Sequence, residues 1–331
     1  MMTAMDAPLP EDACYLALKT RDARFDGHFF TGVASTGVYC RPVCKVRTPR
    51  RENCRFFPSA AQAEQAGFRP CLRCRPELAP SDLRWSIQDA AGVLARQAAQ
   101  LMDATPGASA TGPTLGALAE RLGISDRHLR RVFEAEFGVP PSQYLQTRRL
   151  LTAKQLLTDT RLSVGDVAWA SGFGSERRFH AAFRAHYGLT PGRLRRERPP
   201  ARNGQVCTVH LGFRPPYDVG AMLRFFAGRQ LDGLERVRLD GPNPGLDRTL
   251  AVGQGPQRHA GWISVRFEAA ASRVRIQVSD GLVEALPEVL RRLRAMWDLD
   301  ADPQRIDAVL CGDFPGTEGQ RVPGSPDGFE L

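Results

Sequence analysis

Residues 125–141 read SDRHLRRVFEAEFGVPP, and residues 175–191 read SERRFHAAFRAHYGLTP. The second stretch repeats the first at an offset of 50 positions: Ser125 falls on Ser175, Phe133 on Phe183, Gly138 on Gly188 and Pro141 on Pro191. In each copy a serine able to cap a helix precedes an apolar stripe, formed by Leu129, Val132, Phe133 and Phe137 and then by Phe179, Ala182, Phe183 and Tyr187. A shorter stripe and a glycine turn come before each serine. These are Leu115, Leu118, Ala119 and Leu122 before Gly123, and Val164, Val167, Ala168 and Ser171 before Gly172 and Gly174. Two helix-turn-helix units are predicted. Ser142 to Asp159 reads as a helix that fixes their separation; two major grooves on one face of DNA lie one helical turn, roughly 34 Å, apart. Phe133, Tyr144, Trp169, Phe173, Phe179 and Phe183 recur at helical spacing and read as core. His128, His180 and His186 read as surface or core residues, since no companion spacing makes them metal ligands.

The chain of 331 residues is long enough for more than one core. With 42% hydrophobic and 24% charged residues, disorder throughout is excluded. There is no run of about 18 apolar residues, and the first residues lack a basic flank before an apolar segment. A cytoplasmic protein with no membrane partner is expected. The formal charge is +9, from 45 basic and 36 acidic side chains, and only Lys19, Lys45 and Lys154 are lysines. Guanidinium suits phosphate, although a GC-rich genome produces the same bias. The basic excess sits in the first 200 residues, where a polyanion would bind.

Outside the repeat, three further segments separate. Residues 1–80 form a cysteine-bearing unit, small and α/β. Residues 81–113 read as a helix from Trp85 to Met102 followed by a linker, and residues 114–198 hold the all-α double helix-turn-helix. Residues 204–331 read as an α+β sheet unit, with strands at Val206 to Phe213, Glu235 to Leu239, Arg248 to Val252, Trp262 to Phe267 and Arg273 to Val278. Helices are expected there at Tyr217 to Gly228 and Glu284 to Trp297. The fold class is multidomain α+β.

Of the eight cysteines, Cys14, Cys54, Cys207 and Cys311 are scattered, whereas Cys40-x3-Cys44 and Cys71-x2-Cys74 are close pairs. Four thiolates at this spacing suit one Zn²⁺ per chain. Spacing alone leaves open a purely structural metal unit, an activated thiolate, or no site. A Zn(Cys)4 centre carries about −2 and keeps its sulfurs ionised at neutral pH. Arg41, Lys45, Arg47, Arg50, Arg51, Arg55, Arg69 and Arg73 surround the pairs, either as a solvated face or as contacts to a polyanion. If one thiolate became a thioether, the centre would move to about −1 and repel a phosphate backbone less, a local electrostatic switch.

The stretch TGVYCRPVCKVRTPRRENCRFFPSAAQAEQAGFRPCLRCRPE, residues 36–77, resembles the N-terminal sensor of the Ada DNA-repair and response regulator family. That resemblance implies that Cys40 irreversibly accepts a methyl group from methylphosphotriesters in double-stranded DNA, with Cys44, Cys71 and Cys74 as the other zinc ligands. It also implies DNA-backbone contacts at Thr36, Lys45, Arg47 and Arg69; Lys45 replaces an expected arginine. Cys54 falls outside the ligand pattern and reads as a small buried residue. The repeat resembles the AraC-type DNA-binding domain, which implies operator recognition, with Arg127, Arg130, Glu176 and Arg177 as candidate base readers. In PPYDVGAMLRFFAGRQLDGLE and LRAMWDLDADPQRI the third unit is similar to the N-terminal domain of AlkA-type 3-methyladenine DNA glycosylases.

That family places its catalytic helix-hairpin-helix and aspartate farther along. Base excision is therefore not expected of the chain as it stands, and Asp298, Asp300, Asp302 and Asp307 are not given catalytic roles. The combined expectation is an alkylation sensor and transcriptional activator, monomeric, with RNA polymerase as a protein partner. The alternatives are a regulator whose zinc is only structural, and part of a bifunctional regulator and glycosylase.

Overall fold

A computed structural model describes residues 9–80, 90–104, 114–197, 206–241, 243–253 and 258–326. Among these, no helix is long and apolar enough to cross a membrane. The first unit opens with α1 (Glu11–Thr20), then β1 (Phe30–Val33), β2 (Val38–Cys40), β3 (Cys54–Phe57), α2 (Ala60–Gln65) and β4 (Arg69–Pro70). The sheet order is β3-β1-β2-β4, with β4 parallel to β2 and Tyr39 opposite Pro70. This register decides the site. Cys40 ends one strand and Cys71 follows the other, so two ligand-bearing loops leave the sheet side by side. Phe30, Tyr39, Phe57 and Phe68 fill the small core behind them.

The helical region begins with α3 (Ala90–Ala104); residues 85–89 of the predicted helix and 105–113 of the predicted linker lie outside the described residues. Ala95, Ala98, Ala99 and Met102 of α3 are buried against Leu118, Leu129, Val132 and Phe133. Arg96 of α3, itself buried, reaches Glu136 at 2.5 Å. Small residues at helical spacing allow this close approach, and α3 thereby completes the core of the first helix-turn-helix. That unit is α4 (Leu115–Arg121) and α5 (Asp126–Phe137), capped by Ser125, whose hydroxyl accepts the His128 N–H at 3.2 Å.

The connecting helix α6 (Pro141–Asp159) has 19 residues, about 28 Å of rise. The second unit is α7 (Val164–Ala170) and α8 (Glu176–Tyr187), followed by α9 (Pro191–Glu197). The repeat is exact in its punctuation: Gly138 and Gly188 end α5 and α8 with φ of 66° and 70°, and Pro141 and Pro191 begin the next helices. Ser175 departs from its counterpart, because its hydroxyl makes no capping bond. Instead the second unit is braced one helix earlier, where Ser163 and Asp166 cap α7 reciprocally.

The last unit is β5 (Val206–Gly212), α10 (Val219–Ala227), β6 (Glu235–Arg238), β7 (Gly245–Val252), β8 (His259–Glu268), β9 (Arg273–Ser279), α11 (Leu286–Met296) and α12 (Pro303–Leu310). Its antiparallel sheet runs β5-β9-β8-β7-β6. Alternate residues such as Leu246, Ile263, Val265, Ile276 and Val278 meet Leu223, Leu290, Leu293 and Trp297 in one core. The other face of the sheet is polar, as the alternation predicts. The four aspartates near the end have structural partners. Asp302 caps α12, Asp307 accepts the Gly319 N–H, Asp300 pairs with Arg294 at 2.7 Å, and Asp298 accepts the Val322 N–H.

The units are joined by arginines that donate to backbone carbonyls across the seam. Arg214, 1% exposed, donates to Asp26 O at 2.9 Å and Asp300 O at 2.7 Å, while Arg294 donates to Leu78 O and Ala79 O. The seam leaves no room at Gly27, where φ is 82° and a Cβ would lie 2.1 Å from Pro80 O. Gly27→Ala is expected to lower stability by more than about 1 kcal/mol, read as an earlier denaturation midpoint at unchanged slope.

Candidate metal centre

The parallel pairing of β2 and β4 brings Cys40, Cys44, Cys71 and Cys74 together, their Sγ atoms all within 4.8 Å of one another. Four sulfurs around a tetrahedral ion at 2.3 Å would lie about 3.8 Å apart, so the set fits Zn²⁺ after a small contraction. The chain provides no carboxylate or histidine to this group among the described residues. An all-thiolate set selects zinc over magnesium or calcium.

Backbone amides act on the sulfurs unequally. Arg73 N donates to Cys71 Sγ at 3.3 Å, Arg41 N donates to Cys74 Sγ at 3.4 Å, and the Val46 amide helps to hold Cys44 down. Among the described residues no backbone N–H is directed at Cys40 Sγ. Hydrogen bonds between the thiols hold Cys71 and Cys44 below the ordinary thiol range and push Cys40 above it. A metal ion must therefore displace protons, and its affinity is expected to fall as pH falls, measured by a competing chelator across pH 6 to 8.

Cys40, Cys44 and Cys71 line a largely apolar cavity of about 330 Å³ with Leu18, Val33, Val38, Val46 and Pro49; Cys74 does not. Cys40 is only 5% exposed, so a reacting carbon must enter through this cavity. Thr36 and Arg47 also line it, which places two of the four predicted backbone contacts at the site. Lys45 is exposed one residue beyond Cys44. Arg69 is exposed on β4, with its guanidinium 3.9 Å from where a Cβ on Gly188 would stand, at the end of α8.

Other basic residues have different duties. Arg41 is buried, its guanidinium bound to Asp26 and to Cys74 O, so it braces the Cys71–Cys74 loop from behind. Arg51 pairs with Glu11 at 2.6 Å and lies over Phe56, and Arg55 lies over Phe57 and Phe68. Arg50, Arg73 and Lys45 remain exposed. Cys54 is buried and its thiol is bonded to Arg50 O, with burial pushing it above the ordinary range.

On the helical unit, Arg127, Arg130, Glu176 and Arg177 are all exposed at the starts of α5 and α8. Arg130 pairs with Asp126 at 3.1 Å, and Glu176 lies 3.5 Å from His180. His186 sits 3.1 Å from Glu64, away from the cysteines.

Three family models match in this order along the chain. They are the metal binding domain of Ada over residues 13–77, a helix-turn-helix domain over 118–197, and the AlkA N-terminal domain over 208–327. The bifunctional transcriptional activator/DNA repair enzyme AdaA of Bacillus subtilis is 33% identical over 192 residues, covering 57% of this chain and 85% of the relative. The chain belongs to the Ada family. All three units have a counterpart in the probable bifunctional transcriptional activator/DNA repair enzyme AlkA of Mycobacterium tuberculosis, 35% identical over 97% of this chain. The chain spans 64% of that relative's length. An NMR structure of the Escherichia coli Ada protein in complex with DNA is 32% identical, covering 44% of this chain and 96% of the other, with a TM-score of 0.21.

Two parts of the Ada-type site were missed in the sequence. The apolar cavity wall includes Leu18, which α1 contributes from outside the cysteine motif. The bracing of the cysteine loops by α6 was also missed: Lys154 Nζ donates to Cys71 O at 3.0 Å and to Glu77 at 2.7 Å. A lysine on an amphipathic helix gives no sign of its burial.

Proposed function

We propose that this chain is a DNA alkylation sensor and transcriptional activator in which Cys40 takes a methyl group from a methylphosphotriester. The observation that carries the choice of Cys40 is the uneven distribution of amides. Cys71 and Cys74 each accept a backbone N–H, which draws charge from the sulfur, and the Val46 amide helps to hold Cys44 down, whereas among the described residues no backbone hydrogen bond reaches Cys40, which lines the cavity.

Cys40, Cys44, Cys71 and Cys74 would hold one Zn²⁺, which when bound keeps the sulfurs ionised at neutral pH. Cys40 Sγ then attacks the methyl carbon. An S–C bond forms, the C–O bond breaks, and the phosphodiester leaves with the electron pair. No general base is required, since no proton is moved. Arg47 and Thr36 would hold the phosphate at the cavity, with Lys45 and Arg69 along the backbone, and Leu18, Val33 and Val46 would exclude water from the reacting carbon.

The product thioether removes one negative charge from the centre, which favours DNA at the same basic surface. Promoter DNA would be read by α5 and α8, with Arg127, Arg130, Glu176 and Arg177 at the groove-facing helix starts. Two such readers in one chain support a monomer, with RNA polymerase as the partner on the promoter. The divisions at residues 80, 113, 198 and 204 belong to the same reading. So does a cytoplasmic setting, in keeping with eight unpaired cysteines.

Peptide mapping after exposure to methylphosphotriester-containing duplex tests the assignment. One added CH2 on the peptide bearing Cys40 is expected, at one equivalent per chain and without turnover. Full zinc loading with no adduct would leave a regulator with structural zinc.

A further inference from the structure

The polar face of the second sheet carries an arrangement that the sensor chemistry does not use. On β8 and β9, Arg266 and Arg275 stand directly opposite each other, and His210 of β5 stands opposite Arg275 on the other side. Arg238 of β6 lies opposite Gly245, which is itself opposite Arg266. No side chain can stand at Gly245, since a Cβ there would fall 1.8 Å from Val265 O. The row Arg238, Arg266, Arg275 thus crosses the sheet with a gap as its floor. Like charges directly opposite destabilise a strand pair unless an anion lies between them.

The neighbouring acids are too few to supply that anion. Asp247 alone serves Arg266 at 2.6 Å and Arg238 at 2.9 Å, and Glu268 is shared by Arg273 at 2.5 Å and Arg275 at 3.5 Å. Arg236, opposite Asp247, is exposed and makes no described ion pair. Burial, then the nearby Arg273, Arg75 and Arg275, hold His210 below the ordinary imidazole range, as expected in a positive field.

The second feature is Trp262. It lies on the same face of β8 as Arg266, four residues away, and is 43% exposed. Tryptophan at an interior strand position with its ring open to solvent, beside unbalanced guanidinium groups, matches the two needs of an extended nucleic-acid strand: a face for a base and cations for its phosphates. Trp262, Arg236, Arg238 and Arg266 line an open trough of about 540 Å³, a volume suited to one or two nucleotides rather than to a duplex, and Arg275 stands beside it as the cross-strand partner of Arg266.

We propose that this sheet face is a single-stranded DNA site, with a base on Trp262 and the backbone on Arg266, Arg275 and Arg238. It is independent of Cys40 and of the helix-turn-helix readers, so failure of either reading leaves the other standing.

The test uses the full zinc-loaded chain and a fluorescein-labelled oligothymidylate of about ten nucleotides, followed by anisotropy. Trp262→Ala is expected to weaken binding about tenfold, the cost of one lost stacked base. Arg266→Gln with Arg275→Gln is expected to weaken it comparably and to flatten the log-log salt dependence by about 1.4, for two phosphate contacts. Trp262→Ala should melt with the wild type, because that residue is 43% exposed, while the arginine variant, which also loses the bonds from Arg266 to Leu246 O and Val265 O, is compared below its own melting transition. Loss in the arginine variant alone would mean a general anion patch and overturn the proposal. Loss in Trp262→Ala alone, no change in either, or no binding by the wild type would overturn it as well.

Discussion

Cys40→Ala is expected to take up no methyl group from alkylated duplex, at any protein concentration or incubation time, while still loading zinc through the three remaining sulfurs with a water in the fourth position. The loss is complete because the buried thiols outside the cluster are poor nucleophiles and the other thiols at the cavity have backbone amides acting on them. Burial pushes Cys14 up to about 11 and Cys207 to about 12, which disfavours the thiolate at neutral pH in both. Cys54 is likewise raised by burial and is bonded to Arg50 O. Cys44 and Cys71 line the same cavity but have backbone amides acting on them. Cys44→Ala should behave differently: it too leaves three sulfurs for zinc, Cys44 and Cys40 being buried alike, but it keeps the acceptor, so methyl uptake on Cys40 should persist at a reduced rate. The measurements are adduct mapping and bound zinc on the two variants side by side. A methyl group found on Cys44 or Cys71 in the Cys40→Ala protein would show that cavity access, and not the missing amide, selects the nucleophile.

The double helix-turn-helix was legible because repetition at a fixed offset is visible without knowing any contact, and its glycine and proline punctuation has one physical meaning in both copies. The cysteine quartet was legible for the same kind of reason, since thiols are rare and paired spacing is a metal signature. The helix α12 falls outside the sequence reading, although Asp302 followed by Pro303 is a cap and first-turn signal, because the segment is short and carries little apolar periodicity. The joints between units were beyond sequence reasoning. In a chain whose basic residues are nearly all arginine, nothing separates Arg47, at the cavity, from Arg41 and Arg214, buried behind it. Burial of a guanidinium depends on carbonyls such as Asp26 O and Ala79 O, which every residue possesses, so no side-chain pattern announces it. The same holds for α3, predicted only as a helix before a linker, whose alanines complete the core of the first helix-turn-helix.

Lys154→Met is expected to lower the stability of the folded chain by roughly 3 kcal/mol and to speed zinc loss to a chelator. Lys154 is 1% exposed and Glu77 2%, and their 2.7 Å contact joins the centre of α6 to the turn just after Cys74. Removing the ammonium leaves a buried carboxylate with Arg75 alone, and Cys71 O loses its donor. The loss falls at the lower end of the range for broken buried pairs because Arg75 still holds Glu77 at 3.0 Å. Adding Glu77→Leu should recover most of it, since a paired charge replaced by packed apolar groups costs little, and Arg75 keeps Asp159 at 2.7 Å. Denaturation midpoints at unchanged slope give all four corners of the cycle. Burial alone would raise the Glu77 carboxyl, but Lys154 and Arg75 outweigh it and hold Glu77 below its ordinary 4.5. Its stabilising contribution is therefore fully present above about pH 4.5 and is lost as pH falls through the lower folded value. Lys154→Met should show a weaker acid dependence in that window than the wild type. An unchanged midpoint in Lys154→Met, or a double variant no better than the single, would mean that the cysteine loop is not held by this pair; methyl uptake at Cys40 would then have no rigid path to the helix that sets the two DNA readers apart.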